Sequence, residues 1–558
     1  MVAVAEMIVE QDLLVPMRDG VRIAADIYRP AGDGPFPVLV AISPYGKGKQ
    51  SIQTLPQPPG SPIWDGGVEA GDPRFLTANG YVHVIADCRG VNKSEGEYRG
   101  WMSKQEGEDG YDLIEWIAAQ PWCDGNVGMV GISYFGTIQL HVAAEQPPAL
   151  KAIMPWNAVA DFYREATHHG GTIQTFFFDL YTRSTNGNPV SVTPEECTPD
   201  ELVERMEALK ADPDLRMYTH LWHLIDNPNV NPSFFDVLLH PFDGPFYWER
   251  SAYTRYADIK IPYYTRSAWW AYAHMHLTGT FRHLAGINAP AKLEIDRPVD
   301  EERPLARSYD EEAVRWYDYW LKGIDTGVMD EPPLRLFVMG SNTWRREHEW
   351  PLARTEWKTL HLRPWGGLTE ESEPLPESSD EFLQQPLSQT LKIESLDYAT
   401  LPLPQDTEVI GPIALRLFAS IDAKDTNWIV ALEDVDPAGN AREVTRGYLK
   451  ASHREVDREQ SKPWEPYHPH LSAEPVTPGE VVEYEIAISP TANLFRRGNR
   501  IRLRVMSMDY RGNPRPAPGV SVVHYPWHVC SSETVRHTVY HDASRPSSLL
   551  LPIIPAGS

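Results

Sequence analysis

Cysteine is nearly missing from this chain: Cys88, Cys123, Cys197 and Cys530 are the four in 558 residues, scattered with no metal-ligand spacing. That excludes a disulfide framework and fits small buried hydrophobes in a reducing compartment. No metal or cofactor is expected. Also missing is any apolar run of about 18 residues that would cross a bilayer. Residues 1–20 lack the basic stretch followed by an apolar one that marks a secretory leader, so a cytoplasmic location is expected. Basic charge is scarce, with 51 Lys and Arg against 77 Asp and Glu and a formal net charge of −26. Nucleic acid and anionic membrane surfaces repel such a protein, and neither is expected as a partner.

What is present describes an ordinary globular protein, 42% hydrophobic and 23% charged. The length exceeds what one hydrophobic core holds, so two or three domains are expected. The chain has eighteen tryptophans and 25 tyrosines, with dense clusters at Trp248–Tyr272 and Trp316–Trp320. Core packing is the plain reading of such a cluster, and a pocket for an apolar or aromatic ligand is the sharper one.

The texture changes along the chain. Val21–Tyr28, Pro37–Ile42 and Tyr81–Ala86 read as strands, the second apolar enough for a buried parallel sheet. Glu106–Gln120 reads as a helix with Tyr111, Ile114, Ile117 and Ala118 on one face, ended by Pro121. Residues 149–251 turn aromatic, helical and proline-punctuated, with Glu195–Lys210 as one amphipathic helix, and read as an inserted cap. Sheet texture returns at Ile259–Tyr264 and Ala291–Ile295, followed by a helix over Tyr309–Leu321. Beyond Trp344, period-two runs such as Val482, Tyr484, Ile486, Ile488 and Ile501, Leu503, Val505 suggest a β-sandwich. Pro364–Glu381 is acidic and proline-rich and reads as an exposed linker or loop.

The densest chemical signal is Gly131-Ile132-Ser133-Tyr134-Phe135-Gly136, between the apolar strand Asn126–Val130 and the helix-like Thr137–Ala144. Strand, glycine-flanked serine and helix form a nucleophile elbow, which presents Oγ at a sheet edge. Two more motifs follow buried strands and reach the same edge: Ser43-Pro44-Tyr45-Gly46-Lys47, and Asp87-Cys88-Arg89-Gly90 with Ser94-Glu95-Gly96. Alone, Pro-Tyr-Gly is only a turn.

Together these motifs resemble the cocaine esterase and X-prolyl dipeptidyl peptidase family of serine hydrolases. Arg315-Trp316 through Gly323 and Gly498-Asn499-Arg500 through Arg504 extend the resemblance over nearly the whole chain. It implies an α/β fold: an α/β-hydrolase core (1–148 and 252–345), a helical cap (149–251) and a C-terminal jelly roll (346–558). It also implies Ser133 as nucleophile, with the Tyr45 hydroxyl and the Tyr134 backbone N–H as oxyanion-hole donors. Trp269, Trp270 and Phe135 are the expected pocket residues. A small-molecule substrate is expected, and the jelly-roll surface offers a face for a homodimer.

The family's triad acid and histidine do not align. The acid belongs just after a Gly-Trp-aromatic run, but here Ala268-Trp269-Trp270 leads to Ala271. The histidine's match falls on Asp300, and no histidine lies between His283 and His348. Loss of triad members costs on the order of 10⁴ to 10⁶ in turnover. Substitute bases are sought in His274 and His276, past Ala271, in His169 of the cap, and in Asp300. Three readings stay open: an acyl hydrolase of a small apolar or aromatic ester or amide; a non-hydrolytic lyase, isomerase or cyclase that polarises a carbonyl; and an inert binding scaffold.

Overall fold

The computed structural model describes residues 7–32, 34–50, 69–174, 187–269, 275–298, 305–372, 376–390, 392–509, 528–555 and 557. Apolar runs with continuous burial, such as Phe36–Ser43 and Val82–Asp87, can be satisfied only inside a sheet covered on both faces. They form a ten-stranded sheet: β1 (Met7–Pro16), β2 (Arg22–Pro30), β3 (Phe36–Ser43), β4 (Val82–Asp87), β5 (Cys123–Met129), β6 (Leu150–Ile153), β7 (Tyr263–Ala268), β8 (Ala291–Asp296), β9 (Leu334–Val338) and β10 (Thr343–Glu347). The spatial order is β1-β2-β4-β3-β5-β6-β7-β8-β9-β10. Strands β3 to β9 run parallel, while β1, β2 and β10 are antiparallel to their neighbours. This is the α/β-hydrolase sheet that the strand-elbow-helix pattern implied.

Helices cover both faces. On one, α1 (Lys104–Ala118) and α2 (Tyr134–Ala144) pack with Leu113, Ile114, Ile138 and Leu140 in the core. On the other, α4 (Leu305–Lys322) lays Tyr309, Ala313, Trp316 and Tyr317 against Leu39, Ile85 and Trp156. Between them in sequence, α3 (Leu277–Gly286) follows β7. The stretch after β6 carries short helices, as its proline punctuation suggests. The single helix expected over Glu195–Lys210 is two, Thr193–Glu196 and Pro199–Ala211. Pro199 lacks an N–H and favours a first-turn position, so the chain restarts there with Thr198 as cap.

The C-terminal part is all-β. Strand Thr407–Ile421 pairs with both Val482–Phe495 and Ser548–Ile554, so the hydrogen-bonded path closes on itself as a barrel. Gly411, at φ +147° and beside a register shift, turns the corner; a Cβ there would lie 2.8 Å from Pro552 of the closing strand. The expected linker Pro364–Glu381 instead contributes strands Gly367–Thr369 and, from Ser379, Ser379–Gln384. Of its described acidic residues, Glu370, Glu371 and Glu377 lie exposed between those strands, and Asp380 and Glu381 lie within the second.

The barrel and the hydrolase sheet share one apolar core. Trp269, Leu277, Phe281, Ile295 and Leu336 sit in the same cluster as Leu417, Trp428, Tyr484 and Leu503. Phe281 of α3 stacks on Trp350 at 4.3 Å between ring centroids. Phe281→Ala is therefore expected to cost about 3–5 kcal/mol and to shift one cooperative transition in urea. Two separable transitions, with only one moved, would contradict a shared core.

Candidate active site

The elbow is built from backbone constraints. Ser133 has φ 62° and ψ −114°, a conformation costly for a side-chain-bearing residue. It persists because its neighbours are tied: Ser133 N–H donates to Trp156 O at 2.9 Å and Ile132 N–H to Glu69 O at 3.0 Å. Ser133 O accepts from Thr137 Oγ1 at 3.0 Å. Glycine is required on either side. A Cβ on Gly136 would stand 2.2 Å from Trp156 O, and one on Gly131 2.2 Å from the Phe135 Cβ. From behind, Gly131 N–H donates to the Tyr309 hydroxyl of α4 at 2.5 Å.

His276 lies opposite. It caps α3 just after β7, and its Nε2 stands 3.4 Å from Ser133 Oγ. Its carbonyl accepts from Ser267 Oγ of β7 at 3.1 Å, which ties the helix start to the strand end. The imidazole is 2% exposed, and burial pushes its pKa down to about 3, so it rests neutral. A neutral ring with Nε2 toward a serine hydroxyl can accept its proton. Among the described substitute bases, His276 is the one brought within reach of Ser133. His276 comes from the loop after β7, where the family resemblance put the acid, rather than from the loop after β8.

Tyr45 follows β3 by two residues, at the same C-terminal edge of the sheet. Its ring packs edge-on against those of Tyr134 (5.6 Å, 71°) and Phe135 (6.2 Å, 75°). Lys47 anchors this loop: its N–H donates to Asp87 Oδ1 at 2.7 Å, and its 6%-exposed side chain puts Nζ 2.6 Å from both Asp12 and Asp26. Tyr134 occupies the first position of α2, where N–H groups have no partner within the helix.

The other proposed residues separate clearly. His169 is no base for Ser133. It belongs to a buried chain in which Asp509 Oδ2, His528 Nδ1, His528 Nε2, His169 Nδ1, His169 Nε2 and Glu165 O succeed one another through contacts of 2.9, 2.9 and 2.8 Å. Both its nitrogens are engaged there, fastening the cap to the barrel. Trp269 does not line the site, because its indole is 1% exposed and donates to Phe337 O at 2.6 Å inside the shared core. Phe135 is wholly buried beneath the elbow, where Gly131 leaves room for it. Trp270, His274 and Asp300 lie outside the described residues.

Two carboxyls by the elbow escaped the sequence reading. Glu69 lends its carbonyl to Ile132, and burial pushes its carboxyl up to about 8; no sequence signal marks it. Glu106 accepts from the Tyr134 hydroxyl and from Ser103 N–H. The Ser103-x-x-Glu106 spacing is a capping-box signature, and it places the start of α1 two residues before the expected Glu106.

Family models match two stretches of the chain: the X-Pro dipeptidyl-peptidase (S15 family) over residues 19–297, and the X-Pro dipeptidyl-peptidase C-terminal non-catalytic domain over 326–550. A cocaine esterase from Rhodococcus sp. is 28% identical, over 98% of this chain and 98% of its own length. A putative serine esterase from Mycobacterium bovis is 27% identical over 89% of this chain and 90% of its own. Among solved structures, a CocE/NonD family hydrolase from Staphylococcus aureus superposes with a TM-score of 0.79 at 27% identity, covering 98% of this chain and 94% of that one.

Two outcomes follow from this geometry. Lys47→Met would leave Asp26 buried without its cation, at an expected cost of about 3–5 kcal/mol. Thermal unfolding measures that cost, and an unchanged midpoint would contradict the anchoring role. The second concerns acid. Burial holds His83, His169, His276 and His283 at about 3, while the unfolded chain protonates its imidazoles below about 6.5. Their contribution is complete above that value and is lost as pH falls toward 3, at up to about 1.4 kcal/mol per unit per histidine. Urea midpoints at pH 7.5 and 5.5 should therefore fall steeply with acid; equal midpoints would contradict neutral burial.

Proposed function

The chain belongs to the X-Pro dipeptidyl-peptidase (S15) family, and on that premise we propose that it is a serine acyl hydrolase of small apolar or aromatic esters, working with Ser133 and His276. The observation that carries the reading is the 3.4 Å approach of His276 Nε2 to Ser133 Oγ. His276 takes the hydroxyl proton as Oγ adds to the substrate carbonyl carbon. The carbonyl electron pair moves to oxygen, and the resulting oxyanion is held by the Tyr45 hydroxyl and the Tyr134 N–H. Collapse expels the alcohol, which leaves with the proton from His276. Water then repeats the sequence on the acyl-enzyme.

The low basicity of His276 has a role in this scheme. Burial disfavours the imidazolium, whereas an oxyanion forming close by supplies a counter-charge. A small ester suits the site because Ser133 and His276 are only 7% and 2% exposed. The cocaine esterase and the putative serine esterase agree with an ester substrate, while relatives of somewhat lower identity and similar coverage are named as putative Xaa-Pro dipeptidyl-peptidases.

The test is labelling with a fluorophosphonate, read by intact mass, beside turnover of p-nitrophenyl esters. Wild type should take up one equivalent on Ser133, and Ser133→Ala neither label nor turnover. His276→Gln should fold and lose roughly 10³- to 10⁴-fold in kcat. A His276→Gln enzyme as fast as wild type would sink the base assignment. Absence of label, with turnover of another carbonyl compound that falls in Tyr45→Phe, would favour the non-hydrolytic reading.

A further inference from the structure

Among the described residues stand two capping boxes of the same design, Ser103-x-x-Glu106 at the start of α1 and Thr198-x-x-Glu201 at the start of Pro199–Ala211. In the second, Glu201 does its work in solvent, accepting from Thr198 N–H at 2.7 Å, and its pKa is lowered by that bond. In the first, Glu106 is 5% exposed, and burial pushes its carboxyl up to about 7. Capping a helix does not require burying a carboxyl, which costs several kcal/mol when poorly compensated. What Glu106 has and Glu201 lacks is the Tyr134 hydroxyl, which donates to its Oε1. Its Oε2 meanwhile accepts from Ser103 N–H at 2.9 Å.

Tyr134 is held from every side. Its hydroxyl accepts from Met102 N–H at 3.3 Å and lies 3.3 Å from the Tyr98 hydroxyl. Its ring is wedged edge-on between Trp101, at 5.2 Å, and Tyr45, at 5.6 Å. One residue thus carries the backbone N–H at the start of α2 and supports the tyrosine that bears the second donor.

We propose that Glu106 is a positioning residue of the oxyanion hole, acting through the Tyr134 hydroxyl to fix both the Tyr134 N–H and the ring on which Tyr45 rests. This rests on the reading of Tyr45 and Tyr134 as the hole. The carboxylate form accepts the tyrosine proton. Protonation removes one acceptor from a cluster that also holds Cys88, Tyr98, Ser103, and Asp109 paired with Arg89.

The experiment measures kcat and KM for p-nitrophenyl butyrate in Glu106→Gln, Tyr134→Phe and the double variant, with Glu201→Gln as the exposed-box control. Each single change should lower kcat by roughly ten- to a hundredfold with KM altered less than twofold, since loss of aim weakens transition-state contacts alone. The double variant should be no slower than the worse single one, and Glu201→Gln should match wild type. Wild-type kcat should fall as pH drops through about 7, and the inflection should vanish in Glu106→Gln. Should that variant not fold, the same flattening in Tyr134→Phe decides. Multiplicative losses, a rise in KM at constant kcat, or an inflection kept in both variants would overturn the proposal. Retained turnover in Ser133→Ala would instead strike the functional reading beneath it.

Discussion

The hydrogen bond from Ser133 N–H to Trp156 O is the constraint on which the rest of the site depends. It pins a residue whose φ of 62° the chain would otherwise abandon, and it exists because β5 and β6 run parallel and side by side. The glycines at 131 and 136 are consequences of that closeness, for nothing larger fits between the turn and Trp156 or Phe135. With the serine fixed, only the C-terminal ends of neighbouring strands can supply partners. Tyr45 arrives from β3 and His276 from the segment after β7.

The arrangement of this edge departs from the family pattern in an instructive way. The imidazole that faces Ser133 comes from the segment after β7, where the resemblance placed an acid, while β8 ends at Asp296 and no histidine lies between His283 and His348. Strands β7 and β8 pair in parallel and so end at the same edge of the sheet, which lets the source of the imidazole change without any change in the sheet. What changes is the environment: an imidazole seated at the start of a buried helix rests uncharged.

Much of this was legible in the residues, and the failures have physical reasons. Periodicity revealed the sheet strands, the elbow and the alternating barrel strands, because continuous or alternate burial leaves a direct imprint on composition. Glu195–Lys210 misled because an amphipathic pattern continues across Pro199, while the backbone hydrogen bonds do not. Pro364–Glu381 misled only in part: Glu370, Glu371 and Glu377 do lie exposed and outside the strands, but Gly367–Thr369 and the residues from Ser379 pair into the barrel. Trp269 was taken for a pocket wall since no sequence pattern separates an indole facing a ligand from one facing a second domain. His276 stood among four candidate bases, and choosing it required knowing that α3 begins at residue 277 and turns that ring toward the elbow.

Barrel closure by Ser548–Ile554 has a bearing on biosynthesis. That strand is made after every other described strand, yet it completes the ring through Thr407–Ile421, more than a hundred positions earlier. Pairings so distant in sequence form slowly. Until the ring shuts, the face bearing Trp269, Phe281 and Leu336 waits in water. A ribosome-bound chain that has already brought Ser133 and His276 together would thus carry an open greasy flank, and chaperone cover during that interval would guard the sheet as much as the barrel.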